Sequence, residues 1–305
     1  MEIIPFEPEM AAGLARCYND LTAGVPHAYP VTAAAFASLE SVARPAACRE
    51  DSLLVAREKR GEIVGFVHLA EVTPVSRSWY GKGEPALIRY LAYRPGRRAA
   101  GQALLEAAES WARGRHRPAT IAGHTICLYP SHLPCAHLSE RLGHVHALFG
   151  RAGYSVYCSE VFFEWRDFDP PANLDPVPGV EIAAERHAET PLGWLEAPTV
   201  GSGVIVRAMR QGGEAGRCIT ARLSSDYRAP DAPQWCFCYD LGVEESLQGR
   251  GVGRLLLARS LAEMRRAGCR HALISTNWDN YRAYLFYTNF GYRFLDRTFG
   301  FRKQL

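Results

Sequence analysis

Gln248-Gly249-Arg250-Gly251-Val252-Gly253 lies between an alternating apolar stretch at 235–243 and an apolar helical stretch at 255–264. The glycines carry no Cβ, so the chain there can take positive φ and approach a ligand closely. A helix that follows such a turn aims unpaired N–H groups and the positive end of its dipole at whatever sits there. The chemistry on offer is the binding of an anion. Two nucleotide loops are excluded: the spacing of these glycines is not that of the dinucleotide fingerprint, which also needs an acid about 20 residues on, and the Gly-Lys-Ser/Thr of a Walker loop is absent.

A second constellation follows. Asn280 is able to cap a helix and Gly291 to stop one, and between them Ala283 and Tyr287 are four residues apart, on one face. The small side chain leaves room for something to approach, and Tyr287 offers a hydroxyl one turn later. With an ordinary pKa near 10, a phenol is protonated at neutral pH and able to donate.

Gln248-x-x-Gly251-x-Gly253 resembles the pyrophosphate signature of the GNAT superfamily of N-acyltransferases. Asn280-x-x-Ala283-x-x-x-Tyr287-x-x-x-Gly291-Tyr292 resembles its second motif, and the two span residues 239–292. The resemblance implies acetyl-CoA as co-substrate, held in a V-shaped opening between two parallel strands. Main-chain groups of Leu241 and Val243 would serve the pantetheine arm and the thioester carbonyl. Amides of Gln248, Gly249, Arg250, Gly251, Val252, Gly253 and Arg254 would take the pyrophosphate, with Asn280 and Ala283 beside the arm. Tyr287 is the expected general acid for the departing thiolate. Glu244 is the candidate base, with Asp240 and Glu245 close by and a water chain as the alternative.

The first half reads as a worn copy of the second. Residues 91–105 can be laid on 241–255 without a gap, as an internal duplication would produce. Arg98, Ala99, Ala100, Gly101, Gln102 and Ala103 then form a second cofactor site. The second motif is lost, because Phe149 stands where Tyr287 does and Leu142 where Asn280 does. This copy is expected to be structural, substrate-gathering or regulatory.

The fold class expected is α/β, an α+β mixed sheet: two tandem GNAT-like domains, each a mostly antiparallel sheet with a splayed parallel strand pair and flanking helices. Four prolines between Asp167 and Gly179 read as a linker. That divides the chain into a degenerate N-terminal domain, 1–174, and a catalytic C-terminal one, 175–305. The tandem arrangement is similar to mycothiol synthase, although no residues that carry that enzyme's acceptor specificity are found.

In the first copy, strands are expected at 3–6, 53–57, 63–69, 86–93, about 120–127 and 156–165, with helices within 8–41, from 101 and about 139–152. The second copy has about 70 residues before its glycine loop against about 100 in the first. The elements that wall the acceptor pocket in this family are therefore abbreviated, and the N-terminal domain or a partner subunit is expected to complete it.

Composition narrows the class. With 48% hydrophobic and 22% charged residues and a net charge of +3, the chain is globular and demands neither nucleic acid nor membrane. Its first residues resemble no secretion signal, and no stretch approaches the ~20 apolar residues of a membrane span. Nine cysteines without Cys-x-x-Cys spacing read as reduced thiols, so a cytoplasmic location is expected. His132, Cys135 and His137, with His144 and His146 downstream, fit no structural zinc spacing, and no metal is expected. The expected activity is acetyl transfer to a primary amine of a small molecule or peptide, by a monomer or homodimer. The rival is a non-catalytic acyl-CoA-binding sensor or interaction module.

Overall fold

The computed structural model describes residues 1–34, 37, 48–72, 84–123, 133–192, 199–223 and 229–305. Two compact units emerge: Met1–Glu160 together with Asp296–Leu305, and Val161–Leu295.

The first unit runs β1 (Glu2–Pro5), α1 (Ala11–Thr22), β2 (Cys48–Arg57), β3 (Ile63–Val72), β4 (Ala86–Tyr93), α2 (Arg98–Gly114), β5 (Ala119–Ala122), β6 (Leu138–Ser139), α3 (Gly143–Arg151) and the start of β7 (Ser155–Trp165). Strands β1 to β4 pair antiparallel in chain order, and β5 joins parallel to β4. Every residue of β3 is buried, because both faces of the sheet are covered. Val64, Val67 and Leu69 pack with Leu104 and Leu105 of α2, whereas Phe66 points to Leu14 and Tyr18 of α1. The period of two along the strand sets Phe66 against Val67 and Leu69, and the register slip against β2 between Ala56 and Arg57 puts Val64 on the latter side.

The second unit continues through β8 (Glu181–His187), β9 (Thr190–Pro191), β10 (Thr199–Val200), β11 (Gly203–Arg210), β12 (Gly213–Arg222), β13 (Trp235–Val243), α4 (Val252–Arg266), β14 (His271–Asn277), α5 (Tyr281–Phe290) and the start of β15 (Arg293–Gln304), whose residues from Asp296 on belong to the first unit. Its sheet order is β8-β11-β12-β13-β14, antiparallel until β14 joins parallel to β13. Val204, Val206 and Ala208 of β11 meet Leu256, Leu257 and Leu261 of α4 in the main core. On the other face Ile205 and Ile219 have a small cluster with Leu192, Val200 and Tyr239. Among the described residues no α-helix lies between β8 and β13.

The compact units do not part at 174/175. The proline-rich stretch packs on the second unit's core through Phe168, which is 2% exposed, and through Leu174 and Val177. The end of β15 pairs antiparallel with β5, Phe301 opposite Ala122, and Phe301 stacks on Phe149 at 5.1 Å in the first unit's core. Apolar contact made by residues at the two ends of the second copy, invisible to linker composition, sets these boundaries.

Smaller differences are local. Helix α2 begins at Arg98, three residues before Gly101. The helix expected near 139–152 opens with a 3-10 turn, Glu140–Leu142, capped by Ser139 Oγ accepting from Arg141 N at 3.2 Å. The strand expected near 120–127 ends at Ala122, and residues 124–127 fall outside those described.

Candidate active site

In the second unit β13 and β14 pair only from Trp235 opposite His271 to Cys238 opposite Ile274. Beyond that point β13 runs on to Val243 and β14 to Asn277 without pairing, which opens a V between them. The register against β12 slips between Ile219 and Thr220, leaving Tyr239 as an extra residue in β13. Such a bulge raises the local twist and helps the strands part.

The V leads into a cleft of about 530 Å³. It brings together Leu241, Val243, Gln248, Gly249, Gly251, Gly253, Arg254, Asn280, Ala283 and Tyr287 from four separate elements. Arg250 and Val252 are not in its lining: the first is exposed and the second buried in the core. Glu244 lies outside it as well. Its side chain is exposed and accepts from Ser246 Oγ at 3.0 Å, and its amide donates to Ala215 O at 2.9 Å. Asp240, the alternative carboxylate, is held by Arg217 Nε at 2.7 Å. Sequence reading missed Arg282, Phe286, Asn289 and Phe290, which also line the cleft. Their spacing from Asn280 and Tyr287 on one helix was the available signal.

The glycine turn has the geometry an anion needs. Gly249 and Gly251 have φ of +77° and +89°, and α4 starts at the next residue, Val252. Among the described residues no acceptor is found for the amides of Gly249, Gly251, Val252, Gly253 and Arg254. Arg250, Arg254 and Arg282 make no ion pair among the described residues. Free amides, a helix N-terminus and unneutralised guanidinium groups in one place suit a diphosphate.

Asn280 caps α5, its Oδ1 accepting from Ala283 N at 3.1 Å. That bond accounts for the cap and leaves the side-chain NH2 facing outward to other partners. Tyr287, 6% exposed, reaches the cleft from a bed of rings: Phe163 at 5.7 Å, Phe286 at 5.6 Å and Tyr292 at 6.2 Å. Burial pushes the Tyr292 phenol well above its ordinary range, so it stays protonated.

The corresponding place in the first unit is built differently. Strands β4 and β5 again pair only briefly, from Ala86 opposite Thr120 to Ile88 opposite Ala122. Tyr93 stands where Val243 does, and its hydroxyl donates to His144 O at 2.9 Å while His144 Nε2 meets Tyr93 O at 2.8 Å. Of the six residues from Arg98 to Ala103, the amides of Ala100 and Gly101 already donate to Arg97 O. Gln102 and Ala103 lie inside α2. Arg94 is held by Asp20 at 2.9 Å and Arg97 by Glu58 at 3.2 Å, whereas Arg98 and Arg151 line a cleft of about 310 Å³ beside Tyr93 and His144. Phe149 and Leu142 are core residues, 1% and 2% exposed.

His132 lies outside the described residues. His137 is fixed by Gly123 O at 2.9 Å and meets Cys158 Sγ through Nε2 at 3.3 Å. Burial takes His137 down to about 4 and Cys158 up to about 11, so the contact is a bond between neutral groups. Among the described residues no three metal-ligating side chains converge, and no helix is long and apolar enough to cross a membrane.

Residues 153–292 match the model of the acetyltransferase (GNAT) family. No curated protein matches the sequence. Among solved structures, a tandem GNAT protein from the clavulanic acid biosynthesis pathway is similar over 99% of this chain and 98% of its own, with TM-score 0.64 and 18% identity. A GCN5-related N-acetyltransferase from Sphaerobacter thermophilus is similar over 99% and 95%, with TM-score 0.62 and 14% identity. A GCN5-related glucosamine N-acetyltransferase region of a fungal multi-domain β-N-acetylglucosaminidase has TM-score 0.65 and 14% identity over 99% of this chain and 38% of that one. The shared property at these identities is the fold, that of tandem GNAT proteins.

Proposed function

We propose that this chain, whose residues 153–292 match the model of the acetyltransferase (GNAT) family, transfers an acetyl group from acetyl-CoA to a primary amine in its second unit. The observation that carries the reading is the set of amides of Gly249, Gly251, Val252, Gly253 and Arg254, without an acceptor among the described residues, at the mouth of the V, with Arg254 and Arg282 in its lining and in no ion pair among those residues. A diphosphate there would run its pantetheine arm along the unpaired edge of β13, past Val243 and Leu241. The thioester would then come beside Tyr287.

Attack of a neutral amine forms the C–N bond and breaks the C–S bond, and the departing sulfur needs a proton. Tyr287 is the side chain of the cleft suited to give it, because a phenol hydroxyl is a proton donor. The amine proton leaves through water in this reading, because Glu244 is turned out to solvent and Asp240 is committed to Arg217. The acceptor would approach from the side of Tyr239. The two domains of the duplication, 1–174 and 175–305, would divide the labour, the first scaffolding and the second reacting, in the reducing cytoplasm.

The test is calorimetry with acetyl-CoA followed by a panel of small-molecule and peptide amines, reading free thiol release. Thiol release that depends on an amine supports the reading. Tight cofactor binding with no release across all amine classes would favour the sensor alternative, and no binding would end both.

A further inference from the structure

Gln248 joins the two walls of the cleft. Its Nε2 donates to Val243 O at 2.9 Å, and its Oε1 accepts from Arg282 Nη1. One carboxamide thereby links the last carbonyl of β13 to the first turn of α5. We propose that this link is a strap that holds the place of the cofactor's own amide, and that Arg282 leaves Gln248 for a phosphate when the cofactor binds. The Gln248–Arg282 pair would then set the preference for the complete, phosphate-bearing thioester over its bare pantetheine arm. The inference rests on the acyl-CoA reading above.

Three features of the site support it. β12 pairs Val243 through Gly216, but on the β14 side Val243 lies past the last paired residue, so its carbonyl is one that an amide-bearing ligand lying along that edge would use. The N–H of a side-chain carboxamide is chemically the same donor as the N–H of pantetheine, so Gln248 satisfies this acceptor in the way the ligand would. The third feature is charge. Arg282 is tied to a neutral oxygen and makes no ion pair with a carboxylate among the described residues. A guanidinium gains most when it moves from an amide oxygen to a phosphate, where the bond is charge-assisted. Both side chains are exposed, so the exchange disturbs no core.

The preference follows from what each ligand returns. A pantetheine arm alone must displace the Gln248 amide and leaves Arg282 with nothing better than water. A ligand that also carries phosphates breaks the same strap and recovers a stronger partner for Arg282.

The experiment measures dissociation constants for acetyl-CoA and for S-acetylpantetheine by calorimetry on the full chain, unaltered and as Gln248→Ala and Arg282→Ala. With Gln248→Ala, S-acetylpantetheine is expected to bind about fivefold tighter and acetyl-CoA not to weaken. With Arg282→Ala, acetyl-CoA is expected to weaken about tenfold while S-acetylpantetheine does not. Weakening of both ligands by Gln248→Ala would show that Gln248 holds the bound cofactor rather than its place, and overturns the proposal. So does an unchanged acetyl-CoA affinity in Arg282→Ala, even if S-acetylpantetheine is too weak to register. Either result leaves the cofactor assignment standing, whereas absence of acetyl-CoA binding to the unaltered chain overturns that assignment and the strap with it.

Discussion

The ring of Tyr93 lies across Gly101: a Cβ on that glycine would fall 2.5 Å from Cδ1 and Cε1 of the ring. In the second unit the equivalent glycine, Gly251, has only Val177 Cγ2 within reach, at 3.9 Å. The first unit has thus put an aromatic side chain over the helix N-terminus that its copy leaves bare. The expected stoichiometry is one CoA per chain, measured by calorimetry. Replacing Tyr93 by Val should cost about 3 kcal/mol of stability, from lost packing and the lost bond to His144 O, and should leave that stoichiometry unchanged. Two sites of similar affinity in the unaltered chain would show that the ring moves aside.

Gly251 and Gly253 are expected to respond to alanine in opposite ways. Gly251 has φ of +89°, so a side chain costs about 1–2 kcal/mol through backbone strain although the space is open. Relaxing that strain would re-aim the amides of the turn and weaken CoA. Gly253 sits within α4, and a Cβ there would meet Val243 Cγ2 at 3.7 Å, an ordinary contact. Alanine should stabilise that helix by up to about 1 kcal/mol. Melting temperature and CoA affinity of Gly251→Ala and Gly253→Ala decide it, and equal behaviour of the two would remove the argument.

The second-unit cleft was legible in the sequence because its chemistry is carried by short contiguous segments. The Gly249–Gly253 turn needs backbone freedom, which composition displays, and the Asn280 cap and Tyr287 are separated by helical spacing. The placing of the Tyr93 ring over Gly101 in the first unit was not legible. It depends on Tyr93 meeting His144, 51 residues later, and nothing local to either residue announces the pairing. The fate of the proline segment was hidden for the same reason: Phe168, Leu174 and Val177 are scattered among prolines and aspartates, and only the assembled core shows where they go. The Gln248–Arg282 contact likewise joins residues 34 apart through a shared opening that the strands create.

Tyr287→Phe separates chemistry from packing. The ring sits among Phe163, Phe286 and Tyr292 and stays there when the hydroxyl is removed. Loss of a positioned general acid should lower kcat by about 100-fold or more. Acetyl-CoA affinity should stay within about twofold, since the pyrophosphate contacts lie on the other side of the cleft. Unchanged turnover would assign Tyr287 to packing and leave the proton to solvent.

Asp296 and His137, both in the first unit, should pull its pH stability in opposite directions. Asp296 is fully buried, and burial raises its carboxyl from 3.8 to about 6, against the lowering effect of Ser139 and the Arg297 amide. The folded state therefore holds this proton where the unfolded chain has released it, and stability is lost as pH rises from about 4 to about 6. The loss is on the order of 3 kcal/mol. His137 behaves oppositely: burial lowers it from 6.5 to about 4, so the unfolded chain binds the proton first and stability is lost as pH falls through that window. In the unaltered protein the two trends offset each other between pH 4 and 6.5. Asp296→Asn should gain melting temperature over the unaltered chain at pH 7 and lose that gain towards pH 4. His137→Gln, which forfeits its bond to Gly123 O at every pH, should show its smallest deficit at the acid end. Parallel melting curves for both variants across this range would mean that neither group is held away from its ordinary protonation in the fold.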